Sequence, residues 1–225
     1  MEVTKSIFMK AFMITLVIFI SVYALNLYLN SQREVVLDGK MSEVLDEFEE
    51  VQALTSLMKM YGENATCITL KSRLKLLDSK IWKLGEKIEN YRQLSKDYMN
   101  DPYYLLQKQK FNRQEVIYFS IFREMKAQCD LNKTEILYFY RNGLDCRQCD
   151  DQSYVLNYFN ERVGPEIAVF SMDADLGLPS VDVLLNIYNI TEFPCIVVED
   201  HPYCGLHDRD DMERILCSRR NMSIC

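Results

Sequence analysis

Glu135-Ile-Leu-Tyr-Phe-Tyr-Arg-Asn-Gly-Leu-Asp-Cys-Arg-Gln-Cys149 is the stretch whose reading decides the fold. Residues 135 to 140 form a β-type run of apolar and aromatic side chains, and Asn142-Gly143 is a turn signal. The cysteine pair then opens a helix-like segment from Cys149 to Val163 that stops at Gly164-Pro165. A strand passing into a helix through two cysteines three apart places the first thiol at the helix N-terminus and the second one turn inside.

Outward in the C-terminal direction, Ile167-Ala-Val-Phe-Ser-Met172 reads as a second strand and residues 179 to 189 as a helix. Cys195-Ile-Val-Val198 reads as a third strand, Tyr203 to Leu206 as a short fourth, and Asp210 to Cys217 as a helix. The order β-α-β-α-β-β-α implies an α/β fold, a mixed four-stranded sheet flanked by helices on both faces.

The two thiols of Cys146-Arg147-Gln148-Cys149 are unequal by position. Unpaired N–H groups and the helix dipole favour an anion at Cys146, and Arg147 adds a positive charge that tunes it the same way, while Asp145 acts against it. Cys146 is the expected nucleophile. Cys149, partly buried and close by, is the expected resolving thiol that attacks the mixed disulfide formed at Cys146.

From about residue 134 to 217 the chain resembles the thioredoxin superfamily. Besides the redox pair, Tyr188-Asn-Ile-Thr-Glu-Phe-Pro194-Cys-Ile-Val-Val198 is similar to that family's loop leading to a cis-proline at the start of an apolar strand. Phe170-Ser-Met-Asp-Ala-Asp175 resembles its second-strand exit, and Gly205 falls where the family has a glycine after its last strand. The resemblance implies a cis-Pro194 lying against the redox pair, with the backbone of Phe193 pairing with a bound substrate strand. Arg147 and Gln148 match none of the family's familiar intervening pairs, Asp145 replaces a frequent aromatic residue, and the preceding strand offers Tyr138 and Tyr140 but no buried carboxylate. The direction of exchange is therefore left open. With no strand before residue 133, the resemblance implies a minimal, glutaredoxin-like core with the preceding helix packed on it.

In the N-terminal direction the periodicity becomes helical. Leu70, Leu74, Leu77, Ile81, Leu84, Ile88 and Tyr91 alternate spacings of four and three, the coiled-coil-like seam of a helix packed along another. Val44, Phe48, Val51, Leu54, Met58 and Tyr61 make a similar stripe that ends at Gly62 and the polar Glu63-Asn64. A third helix runs from Pro102 to Gln128, with a less regular pattern. A helical hairpin or bundle over residues 38–130 follows, which could serve as a spacer or as the interface of a homodimer. Cys67 opens the second helix and Cys129 closes the third, so an antiparallel hairpin brings them to one end and predicts a Cys67–Cys129 disulfide. The alternative is two unrelated thiols, because a shift of one turn would part the Cα atoms.

Residues 11 to 29 are uncharged and mostly apolar, enough helix to reach roughly 28 Å and cross a bilayer. A transmembrane anchor over residues 7–29 is expected; a cleaved signal peptide, cut after Val22 and Ala24, is the competing reading. Lys5 and Lys10 precede the apolar stretch and acidic residues follow it, which puts the N-terminus in the cytoplasm and the body outside. Eight cysteines suit an oxidising compartment, as do sequons at Asn64, Asn132, Asn189 and Asn221, of which Asn189 falls where the fold is expected to bury it.

The net charge of −7 with no basic run excludes a nucleic-acid partner, and no cofactor is called for. A Cys-x-x-Cys also serves zinc, completed in principle from Cys195, Cys204, Cys217 and Cys225, but without a second close pair a redox role is favoured and no metal site is assigned. Cys195 suits a small apolar strand residue or a third redox thiol, and the remaining three cysteines allow one bridge with one left over. The domains expected are the anchor, the helical region, a thioredoxin-like domain over 133–218 and a tail over 219–225. The function expected is a membrane-anchored, extracytoplasmic oxidoreductase exchanging disulfides with protein thiols and an unidentified redox partner. The alternative is a redox-inactive thioredoxin-like interaction protein whose helical bundle binds a partner.

Overall fold

The computed structural model describes residues 2–61, 67–94, 98–142 and 146–225. Gly62, Glu63, Asn64, Gly143, Asp145 and the side chains of Lys5 and Tyr61 lie outside the described residues. Three long helices come first, α1 (Glu2–Tyr61), α2 (Cys67–Leu94) and α3 (Pro102–Gln128). Then follow β1 (Thr134–Tyr140), α4 (Arg147–Val163), β2 (Ile167–Asp173), α5 (Pro179–Ile187), β3 (Cys195–Val198), β4 (His201–Cys204) and α6 (Arg209–Arg219).

The chain forms two compact units, Met1–Glu43 and Val44–Cys225. The first consists of the N-terminal part of α1, whose apolar window is entirely unburied. By length and composition it is the one helix among the described residues able to cross a membrane.

In the second unit, Leu70, Leu74, Leu77, Ile81, Leu84 and Ile88 of α2 are all buried, so the four-three spacing does mark one apolar stripe. Val44, Phe48, Val51 and Met58 of α1 are buried as well, with Phe48 edge-on to Tyr118 of α3. The α3 helix starts where Asp101 accepts hydrogen bonds from the N–H groups of Tyr103 and Tyr104, with Pro102 at its first position. Cys67, at the start of α2, and Cys129, just past the end of α3, are joined as a disulfide with Cα atoms 5.5 Å apart.

The sheet order is β2-β1-β3-β4, with β1 and β2 parallel and β3 antiparallel to both β1 and β4. Ile136, Tyr138, Ile196 and Val198 on one face bury against Leu156 and Phe159 of α4 and Met212 and Leu216 of α6. On the other face Phe170 packs edge-on against Tyr118, Phe119 and Phe122 of α3. This order and layering are compatible with a thioredoxin-like α/β fold.

The strand β2 is an edge, and α3 lies along it. The side chain of Asn112 accepts from the N–H of Asp173 at 2.7 Å, and the N–H of Ser171 faces the Glu115 carboxyl. Alternate outward N–H groups of β2, which a further strand would have paired, are met instead by helix side chains.

Three expectations are corrected. The fourth strand is His201–Cys204, starting two residues earlier than its pattern suggested, because Glu199 and Asp200 both take positive φ (48° and 64°) and turn the chain in two residues. Asn189, with φ 53°, is exposed rather than buried. Cys195 is neither a lone apolar residue nor a third free thiol: the hairpin sets it opposite Cys204 and the two are bonded, while Cys217 bonds Cys225 and leaves no cysteine over. The last residues turn back onto the body, where Met222 joins the core under α6.

Candidate functional site

Strand β1 delivers the chain to the site and α4 carries it away. Cys146 is the N-cap of α4, and the N–H of Cys149 donates to its carbonyl at 3.2 Å, so the pair spans the first turn. The two cysteines are bonded, with Cα atoms 5.3 Å apart. Cys146 is 7% exposed and Cys149 3%, so in the disulfide form the first cysteine is more covered than a freely reachable nucleophile would be.

Two groups from β1 and its exit grip the second cysteine. The Tyr138 hydroxyl donates to the Cys149 carbonyl at 2.5 Å, and the N–H of Arg141 donates to its Sγ at 3.5 Å. Burial pushes the Tyr138 hydroxyl well above its ordinary range, so it stays a proton donor throughout the physiological window.

Arg141 also reaches the proposed substrate edge. Its guanidinium carbon stands 4.8 Å from the ring centre of Phe193, and its Nε is 3.5 Å from Asp175 Oδ1. The Phe193–Pro194 peptide is cis, Pro194 is buried, and the Pro194 carbonyl accepts from the N–H of Gly205, where φ is 93°. One arginine thus connects the cysteine pair to the Phe193–Pro194 loop.

Behind the β1 exit lies a buried polar cluster. Asp173, fully buried at the end of β2, is the register partner of Tyr140 and pairs with Lys108 Nζ at 3.0 Å. Lys108 also donates to Asn142 Oδ1 at 2.9 Å and lies over the rings of Tyr104 and Tyr140. Burial works against its charge, but Tyr140 and Asp173 outweigh it and hold the ammonium above its ordinary range. Asn142 donates from its side chain to Asp173 and from its backbone to Asp175. On the other flank, Arg92 of α2 sits 3.6 Å from Asp150, the residue after Cys149.

The structure therefore brings together Cys146, Cys149, Phe193 and Pro194 through Arg141, and leaves Arg147 exposed on the first turn of α4. Asp173 is the buried carboxylate behind the β1 exit; it comes from β2 rather than β1, and its described partners are Lys108, Asn112, Asn142 and Asp175 rather than either cysteine. The parallel register Tyr140↔Asp173 was the signal, since both runs end at one level. Arg141, Lys108 and Arg92 carried no local signal, being lone cations between apolar or mixed segments. Among the described residues no group of three or more His, Cys, Asp or Glu side chains is placed to hold a metal.

No family model matches the chain, and no curated protein does. Among solved structures, one described as a malarial protein is 17% identical over 39% of this chain and 97% of its own, with a TM-score of 0.34. Thioredoxin-2 of the malaria parasite, described as a component of its protein secretion machinery, is 17% identical over 39% of this chain and 84% of its own, at 0.33. Chloroplastic thioredoxin z is 18% identical over 43% of this chain and 87% of its own, at 0.34.

Proposed function

We propose that the chain is a membrane-anchored thiol–disulfide oxidoreductase that acts outside the cytoplasm on disulfides or dithiols of exported proteins. The observation that carries this reading is the bonded pair at the start of α4, whose Cys149 sulfur accepts from Arg141 while the same arginine covers Phe193.

In the reduced form the Cys146 thiolate is favoured by the free N–H groups of the first turn of α4 and by Arg147. It attacks one sulfur of a substrate disulfide, forming the Cys146–substrate bond and breaking the substrate bond; the departing thiolate takes a proton from water. Cys149, as thiolate, then attacks Cys146 Sγ and expels the second substrate thiol. The Arg141 N–H, donating to the Cys149 sulfur, favours its thiolate for that step. Two electrons and two protons pass from the pair to the substrate, and an external dithiol restores them. The oxidised pair runs the same steps backwards on a substrate dithiol.

The location rests on the uncharged apolar stretch, on the lysines before it and acidic residues after it, and on the pairing of all eight cysteines in four disulfides.

The burial of Cys146 favours a second reading, a thioredoxin-like interaction protein in which the pair is a fixed bond. One experiment separates the two. The full chain in detergent micelles, with C149S, is expected to accumulate protein-linked mixed disulfides at Cys146, and the unaltered chain to reduce insulin with a dithiol as donor. Absence of both leaves the second reading standing. Titration of the pair against a glutathione series then sets the direction of exchange.

A further inference from the structure

A guanidinium offers five N–H donors in a planar fork that fits a carboxylate with two bonds at once. In Arg141 the Nε lies 3.5 Å from Asp175 and one face of the group rests on the Phe193 ring. Among the described residues nothing engages the two terminal nitrogens, and the side chain is 48% exposed. Phe193 fixes where that open fork points: beside the loop that, on the redox reading, holds the substrate strand. The neighbouring carboxylates do not cancel it equally. Asp150 is faced by Arg92 and Asp175 accepts from the Asn142 N–H, whereas Arg147, on the first turn of α4, stands exposed with no described partner. Among the described residues Glu192, exposed next to Phe193, is an opposing charge.

We infer that Arg141 is a specificity residue: its terminal nitrogens receive a carboxylate side chain of the substrate polypeptide, one or two residues from the cysteine being exchanged. This rests on the redox reading above and adds the class of substrate, polypeptides acidic beside their reactive cysteine. The Phe193 ring beneath the guanidinium restrains it, so less freedom is lost on binding than for a mobile lysine. Asp175 keeps the arginine from swinging away. The charge of Glu192, exposed beside Phe193, opposes this preference and lowers it.

The test uses the full chain in detergent micelles and three disulfide-linked peptides that differ only beside the cysteine, carrying Glu, Gln or Lys. For the unaltered chain kcat/KM is expected to fall in the order Glu, Gln, Lys, with Glu over Lys by about tenfold at low salt, shrinking as salt rises. In R141A that ratio is expected to drop to near one whatever happens to the absolute rates. R141K should keep a smaller ratio, since it retains the charge but not the fork or the stack. E192Q should raise it. A ratio near one in the unaltered chain, or the same ratio in R141A, overturns the inference and leaves the redox reading intact. No turnover of any peptide by the unaltered chain removes the redox reading, and this inference with it.

Discussion

Glu115 gives the sharpest test of how α3 is joined to the sheet. The residue is 4% exposed, and its carboxyl faces the N–H of Ser171 and has one oxygen buried without a partner. Burial, with Asp78 adding to it and the Ser171 N–H opposing, pushes its pKa from 4.5 up to about 8. A folded-state value raised above the unfolded one means the folded chain holds a proton that the unfolded chain releases. The stability this group contributes is therefore complete below about pH 4.5 and is lost as pH rises through about 8. One such proton lowers stability by up to about 1.4 kcal/mol per pH unit inside that window, so between pH 5 and 7 the loss is on the order of 2–3 kcal/mol. In E115Q the amide keeps an acceptor for Ser171 and cannot ionise. Urea unfolding followed by Trp82, the single tryptophan and a residue of α2, reads the second unit directly. The stability of E115Q minus that of the unaltered chain should rise from pH 5 to 8 and level off beyond it. A difference that stays flat, or that falls with pH, refutes the buried neutral carboxyl.

Removing the Cys67–Cys129 bond with C67S/C129S, which frees a separation of 62 residues, is expected to lower stability by about 4 kcal/mol, read from the shift in urea midpoint. D173N strips the buried Lys108 of its anionic partner and should cost roughly 3–5 kcal/mol, whereas K108M/D173L should recover most of the loss in the same assay. Y138F deletes the hydroxyl that holds the Cys149 carbonyl and should lower stability by about 1 kcal/mol at pH 7, with the same loss at pH 9 because the hydroxyl remains protonated across that range.

How much of this could be read from the chain alone depended on the range of the forces involved. The first strand and the helix after it were legible because a β-type run ending in a turn signal and a cysteine pair state their own local structure. The second and third strands were legible for the same reason, the third an unbroken buried apolar run and the second an apolar run interrupted only by Ser171 before its final Asp173. The fourth was misplaced because Glu199-Asp200 is a tight turn made without glycine or asparagine, and only the φ angles disclose it. That slip had a consequence for chemistry. The partner of Cys195 follows from the register of the β3–β4 hairpin, and with the turn unlocated Cys204 could not be set opposite it. Arg141 lay in plain view five residues before Cys146, but its meaning comes from Phe193, 52 positions away.

The irregular pattern of α3 has the same origin and a wider effect. Gln107, Lys108, Asn112 and Glu115 are all buried on a helix whose other buried residues include Tyr104, Phe119, Ile121 and Phe122, a mixture that no single apolar stripe explains. Buried polar groups persist where they satisfy something, and here two of them face the open N–H groups of β2 while Lys108 holds Asp173 and Asn142. A helix cannot continue a strand ladder through its own backbone, so side chains of the right length, Asn and Glu, take over that task. It follows that the helical layer is no detachable stalk beneath the sheet: within Val44–Cys225 it completes the edge of β2. It also touches both flanks of the cysteine pair, through Lys108 on Asn142 at the β1 exit and through Arg92 at Asp150, the residue after Cys149. If the proposed exchange takes place at Cys146 and Cys149, substitutions in α2 and α3 should therefore alter its rate as well as stability, even though neither helix contributes a sulfur to that pair.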